Sequence, residues 1–223
     1  MSMHVLLVDD HPVVRQSLAQ LLISCGCASE VTEATTGAEA LAVVLKRPYT
    51  VILLDISLPD MNGIEVLGRL KRKAPNIPVL MFSMHSDDQY AVRALKSGAA
   101  GYLSKTAEAG QLFAAIRQVA AGRRYVSPSM AEALADHVLG DSEQRAHESL
   151  SDREYQTMCM LASGMRLTEI ASVLSLSVKT VSAYRTRLLK KMQLRNNAEI
   201  TSYVINHRLV DLDVSKPEWN LAL

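Results

Sequence analysis

The first half of the chain alternates short apolar runs with segments of helical period. His4–Val8 is an apolar strand, and Pro12 then opens a helix whose Val13, Val14, Leu18, Leu21 and Leu22 recur at helical spacing. Glu30–Ala34 reads as a weaker strand. Thr36 starts a helix to about Arg47, with Glu39 placed to complete a capping box. Tyr49–Leu54 is a third strand, and its unbroken Val51-Ile52-Leu53-Leu54 predicts burial on both faces. Pro59 and Asn62-Gly63 break the chain before a helix over Gly63–Lys73. Strand Pro78–Phe82, a helix capped by Ser86 and stopped by Gly98, strand Gly101–Leu103 and helix Ala107–Ala121 complete the series. Five strands alternating with five helices predict an α/β domain: a five-stranded parallel sheet, flavodoxin-like, with helices on both faces.

The period changes after residue 126. Ser127-Pro128 can begin one more helix to about Leu139, and the polar stretch Gly140–Ser149 reads as a flexible linker. Ser151-Asp152-Arg153-Glu154 is a capping box, and its helix carries Met158, Leu161 and Ala162 up to Gly164. Thr168–Leu174, Val178–Met192 and Asn197–Asn206 follow as three more helices, which predicts a small all-α bundle. Ser215–Leu223, which holds Trp219, has no clear pattern. The expected organisation is thus 1–126, a linker with a short helix over 127–149, a helical domain over 150–210, and a tail over 211–223.

Net charge is only +1, but the sign is unevenly distributed. Residues 127–150 are acidic, whereas 176–195 hold six basic residues and no acidic one. On a helical wheel of Val178–Met192, Val181, Tyr184, Leu188 and Met192 share one face. Lys179, Ala183, Thr186 and Lys190 lie opposite, flanked by Ser182 and Arg187. A basic outer stripe with small residues near the amino end suits the major groove of double-stranded DNA; the bland alternative is a solvated face. Arg185 falls on the inner side and is expected to pair with Glu154 or Glu169. No apolar run approaches the roughly 18 residues that span a membrane, and no basic segment precedes a long apolar one. Three cysteines without metal-ligand spacing read as buried free thiols, so a cytoplasmic protein without membrane contact is expected.

The strands end at Asp9-Asp10, Asp55, Ser83 and Lys105, and a parallel sheet gathers such ends at one edge. Crowded carboxylates repel unless a cation sits among them, and hard oxygen donors suit magnesium. A carboxylate can also accept a phosphoryl group, with Lys105 as a point charge and Ser83 as a hydrogen-bond donor. Taken singly, the acidic pair could merely cap a helix and the serine merely begin a turn.

Residues 1–126 resemble the receiver domain of bacterial two-component response regulators. The resemblance rests on Val8-Asp9-Asp10-His11, Leu54-Asp55-Ile56-Ser57-Leu58-Pro59, Asn62-Gly63, Ser83-Met84-His85 and Gly101-Tyr102-Leu103-Ser104-Lys105. It implies that Asp55 accepts phosphate from a sensor histidine kinase. It further implies magnesium held by Asp9 or Asp10, Asp55 and the Ser57 backbone carbonyl, with Ser83 and Tyr102 as a switch pair. Thr106 stands where many receivers have proline. Residues 150–210 resemble the LuxR-type helix-turn-helix through Leu150-Ser151-Asp152-Arg153-Glu154, Thr168-Glu169-Ile170-Ala171, Val178-Lys179-Thr180-Val181 and Lys190-Lys191-Met192. The pair of modules is the architecture of the NarL/FixJ family, which implies a homodimer on phosphorylation. DNA contacts are then expected from Lys179, Thr180, Ser182, Ala183, Thr186, Arg187 and Lys190. Ser182 and Tyr184 depart from the lysine and histidine usual there, so the operator cannot be borrowed from relatives.

Three functions compete. The first is a phosphorylation-controlled transcription regulator, which is not an enzyme. The second is a DNA-binding protein with an unphosphorylated receiver, against which the intact acidic triad and Lys105 argue. The third is an enzyme, such as an aspartyl-phosphate hydrolase or a nucleotide-binding oxidoreductase, against which chain length and the missing Gly-rich dinucleotide fingerprint argue.

Overall fold

The computed structural model describes residues 3–84, 88–127, 130–131, 146–207 and 209. They fall into two compact units, one on each side of the stretch between residues 131 and 146. In the first, strands β1 (His4–Val8), β2 (Glu30–Ala34), β3 (Val51–Leu54), β4 (Val79–Ser83) and β5 (Gly101–Ser104) alternate with helices. These are α1 (Pro12–Ser24), α2 (Gly37–Val43), α3 (Gly63–Lys73), α4 (Asp88–Lys96) and α5 (Ala109–Ala120). The sheet is wholly parallel in the order β2-β1-β3-β4-β5.

Alternation along the strands builds two cores. Val5, Leu7, Val51, Leu53, Leu80 and Phe82 pack with Leu18 and Leu22 of α1 and Leu112, Ile116 and Val119 of α5. The opposite set, Leu6, Val8, Ile52, Leu54, Val79 and Met81, is equally buried on the side of α2, α3 and α4. β3 lies between β1 and β4 with every residue buried, as its apolar run requires.

Element ends differ from the sequence reading by up to four residues. Helix α2 stops at Val43 rather than Arg47, because the chain tightens there and Lys46 N donates to Val43 O (2.9 Å). Thr36 does cap α2 through Glu39 N (3.1 Å). Glu39, however, accepts from Thr35 N (2.7 Å) and Thr35 Oγ1 (3.0 Å), not from Thr36 N. Cys27 and Cys159 are buried, but Cys25 is exposed, since it caps the carboxyl end of α1 at a surface turn. Ser86, His85, most of the helix expected after Ser127, and the tail lie outside the described residues.

Among the described residues, the second unit contains a 3-10 helix at Ala146–Ser149 and four α-helices. The latter are α6 (Asp152–Ala162), α7 (Leu167–Val173), α8 (Val178–Met192) and α9 (Asn197–Asn206), close to the predicted spans. Residues 146–149 were expected as linker but are folded. His147 is buried with Nδ1 2.9 Å from the Tyr203 hydroxyl, which pins this segment to α9. Tyr155, Met158, Ile170, Val181, Leu188, Ile200 and Val204 make the core. The α6 capping box forms, with Ser151 N donating to Glu154 Oε2 (2.9 Å). Gly164 turns the chain with φ +85°, where a side chain would be strained.

Candidate functional site

The parallel register carries Asp9 and Asp55 to the same level. Val8 pairs with Leu54, and each aspartate follows directly, Asp9 N donating to Ala34 O (3.1 Å) and Asp55 N to Val8 O (2.9 Å). On the neighbouring pair of strands, Ser83 pairs with Ser104, and Lys105 N donates to Ser83 O (2.8 Å). All four predicted strand ends therefore sit on one edge of the sheet.

Lys105 reaches across it. Its Nζ is 2.6 Å from Asp9 Oδ2 and 2.8 Å from Asp55 Oδ2. The three side chains are nearly sealed, at 1% for Asp9, 2% for Asp55 and 4% for Lys105. Burial pushes the Asp55 carboxyl up from its ordinary range; Lys105 opposes this and Asp9 adds to it. Burial also works against the Lys105 charge, but Asp55 and Asp9 outweigh it and hold the ammonium above its usual value. Asp10, half-buried, is likewise pushed up by burial. One lysine faces three carboxylates, so the cluster is short of positive charge. Asp55 Oδ1 is buried without a hydrogen-bond partner among the described residues. One ligand atom each from Asp9, Asp10, His11 and Asp55 lies within 4.8 Å of the others. A divalent cation fits this donor set. Ser83 and Tyr102 are both buried, Ser83 at the end of β4 and Tyr102 paired with Met81 two residues before it.

The loop after β3 is held from several directions. Ser57 and Asn62 form an antiparallel bridge, and Gly63 N donates to Ile56 O (2.8 Å). Asn62 caps α3 by accepting from Ile64 N (2.8 Å). Three positioning groups escaped the sequence reading. Asp60 accepts from Gly37 N (2.9 Å) and Ala38 N (2.8 Å), tying the loop to the amino end of α2. Arg15 donates to the Asp9 carbonyl (2.8 Å) and to Glu33 Oε2 (2.9 Å). Its signal was available, since a charged residue three before Leu18 lies on the buried face of α1. His11, the third, has Nδ1 2.8 Å from Asp10 Oδ1.

In the second unit, α7 and α8 meet at a tight turn. Ser175 takes a left-handed conformation (φ +52°), Leu176 N donates to Ala171 O (2.8 Å), and Ser177 caps α8 through Thr180 N (3.1 Å). Val181, Leu188 and Met192 point inward as predicted. Tyr184 is only half-buried at the edge of that face, with the Arg187 guanidinium 5.6 Å over its ring. Lys179, Thr186, Arg187 and Lys190 are exposed, and Thr180, Ser182 and Ala183 are half-buried. Arg185 pairs with neither Glu154 nor Glu169. Its Nε donates to Asn197 Oδ1 (2.7 Å), because its stem leads toward the start of α9.

Glu154 is taken instead by Lys191, at 2.6 Å. Burial raises the Glu154 pKa, but the bonds from Lys191 and Ser151 outweigh it and leave it below the ordinary 4.5. The stabilisation is therefore complete above pH 4.5 and fades as pH falls through the depressed value. Glu154→Gln should cost the second unit about 1 kcal/mol at pH 7. It should also flatten the acid limb of its stability curve, read by denaturant unfolding between pH 3 and 7.

Comparison with known proteins agrees with both units. The response regulator receiver domain family matches residues 5–117. The luxR family of bacterial regulatory proteins matches residues 148–204. The response regulator UvrY of Escherichia coli K12 is 33% identical over 211 residues, covering 94% of this chain and 97% of UvrY. A two-component response regulator of the LuxR family from Aurantimonas sp. SI85-9A1 superposes with a TM-score of 0.58 at 30% identity, over 62% of this chain and 99% of that one. RcsB of Salmonella enterica serovar Typhimurium, bound to promoter rprA in the presence of a phosphomimetic, shares the fold with a TM-score of 0.62 at 22% identity, over 92% and 99%. The chain belongs to the two-component response regulators, with a receiver domain followed by a LuxR-type DNA-binding domain. No helix among the described residues is long and apolar enough to cross a membrane.

Proposed function

We propose that Asp55 accepts a phosphoryl group from a sensor histidine kinase, and that this controls dimerisation and transcription from specific DNA sites in the cytoplasm. The observation that carries the reading is the buried Asp55 carboxylate, its Oδ2 bound to Lys105 and its Oδ1 without a hydrogen-bond partner among the described residues. A carboxylate oxygen attacks phosphorus, a P–O bond forms, and the P–N bond to the kinase imidazole breaks with its electron pair leaving on nitrogen. Magnesium, when held by Asp9 or Asp10, Asp55 and the Ser57 carbonyl, supplies charge neutralisation to the phosphoryl oxygens. Lys105 then passes its hydrogen bond from Asp55 to a phosphoryl oxygen, and Ser83 donates a second one. Tyr102 fills the space that Ser83 leaves. This sequence makes the chain a switch rather than an enzyme.

In the second unit, α8 enters the major groove with its amino end foremost. Lys179, Thr180, Ser182, Ala183 and Thr186 face base edges, and Arg187 and Lys190 face phosphates. Two copies on half-sites about one helical turn apart gain affinity through effective concentration. Phosphorylated protein should sediment as a dimer on DNA; a monomer both free and on DNA overturns this reading. Lys190→Ala should weaken all duplexes alike and reduce the salt slope by about one. Lys179→Ala should cost about 1–3 kcal/mol at the specific site alone, measured by salt titration on specific and random duplexes.

A further inference from the structure

We propose that Cys25 and Cys27, assisted by Arg117, form a dithiol site that exchanges with low-molecular-weight disulfides. Cys25 is the point of entry, Cys27 the resolving thiol, and a Cys25–Cys27 disulfide the product. None of the three residues belongs to the phosphorylation site. Cys25 ends α1 and is exposed. Cys27, two residues on, is 5% exposed and sits in the core with Leu18, Leu22 and Val119. Gly26 between them has φ +70°, with nothing within 4 Å of the place a Cβ would take. This left-handed residue bends the chain so that two thiols so near in sequence can meet. The amides of Cys25, Gly26 and Ala28 donate to Leu21 O (3.0 Å), Ile23 O (3.0 Å) and Leu22 O (2.9 Å). The Cys27 amide turns instead to the Cys25 sulfur, and the two thiols share a hydrogen bond. From α5, Arg117 Nη2 donates to Cys27 Sγ (3.6 Å).

The surroundings select the chemistry. A guanidinium beside sulfur repels a metal cation and attracts the negative charge that forms on sulfur during exchange. The little burial it has, and the Cys27 thiol beside it, hold the Cys25 thiol above its ordinary range. Cys25 is thus unlike the low-pKa thiolates of peroxide sensors. A thiol of higher pKa is the stronger nucleophile once ionised, which suits attack on a disulfide. Cys25 Sγ attacks one sulfur of the reagent, the reagent's S–S bond breaks, and one thiolate leaves and takes up a proton. Cys27 Sγ then attacks Cys25 Sγ and displaces the second thiolate. The two cysteines lose two protons and two electrons, and the reagent leaves as two thiols. Reduced, Cys27 joins the end of α1 to α5 through Arg117; oxidised, its sulfur turns to Cys25.

The test uses oxidised glutathione on the reduced full chain, with acid quench and mass spectrometry of the intact protein and its peptides. The wild type should lose two hydrogens and yield a peptide with an internal Cys25–Cys27 disulfide, reversed by dithiothreitol. Cys27→Ala should stop at one stable glutathione on Cys25. Cys25→Ser, a surface change that leaves the core intact, should take no glutathione at Cys27. Arg117→Ala should accumulate the mixed disulfide, its second step slowed roughly tenfold by the loss of a charged hydrogen bond. Circular dichroism matching the wild type checks that each variant is folded. A wild type that keeps glutathione on Cys25 beside a free Cys27, or that links Cys25 to a second chain, would overturn the pairing. A wild type left unmodified would overturn the site altogether. Resolution in Arg117→Ala at the wild-type rate would overturn the part given to the guanidinium.

Discussion

Asp55→Ala is expected to abolish phosphoryl incorporation from a small phosphodonor, a loss of at least about a hundredfold given that a nucleophile is removed outright. The fold should survive, because Lys105 keeps Asp9 as a partner at 2.6 Å and no buried cation is left alone. A thermal transition near that of the wild type would show that the lost labelling is chemical. Lys105→Ala should behave differently. It keeps the acceptor oxygen and can still be labelled, but its DNA affinity should no longer respond to the phosphodonor. Removing magnesium should stop labelling of the wild type. Labelling that persists in full in Asp55→Ala would move the acceptor elsewhere.

The second large effect is expected at Gly63. A Cβ there would meet Asp55 O at 2.0 Å, Ile56 Cα at 2.7 Å and Asp55 C at 2.8 Å. These are backbone atoms at the end of a fully buried strand, and Asp55 N is already fixed to Val8 O. The clash can be relieved only by parting the start of α3 from the peptide that carries the acceptor carboxylate. Gly63→Ala should therefore destabilise the receiver by about 3 kcal/mol, the upper end for overpacking. It should also slow labelling by roughly tenfold or more, since reacting groups are displaced. Gly68→Ala is the control. Nothing lies within 4 Å of its added Cβ, and α3 should gain roughly 0.5–1 kcal/mol from the better helix former. Equal behaviour of the two variants in unfolding and labelling would refute the steric account.

Much of this was legible in the chain. The run Val51–Leu54 announced a central strand because only a strand covered on both faces tolerates four consecutive apolar residues. Asp9, Asp55 and Lys105 were legible because each ends a strand, and parallel strands bring their ends together. What escaped was geometry that depends on where a long side chain terminates. Arg185 has the right helical angle to face inward, but a wheel does not say that its guanidinium stops at Asn197 while Lys191 takes Glu154. Asp60 carries no local sign that its carboxylate will cap α2, because its partners are more than twenty residues earlier. The 3-10 helix was missed since its anchor, a single buried imidazole, leaves no periodic trace.

The two left-handed residues that flank α8, Ser175 and Gln193, bound a rod of fixed length. Fifteen residues at about 1.5 Å each give a rod of roughly 22 Å, nearly twice the ~12 Å width of the major groove. Crossing the groove as proposed, such a rod would outreach its width. Its first two turns would then reach base edges, and its last turn would ride over the sugar–phosphate rim. Drift of the operator over evolutionary time would then be matched by changes between Lys179 and Thr186. Positions from Arg187 onward answer to charge and to the Glu154 anchor of Lys191, and would stay put while the recognised sequence changes.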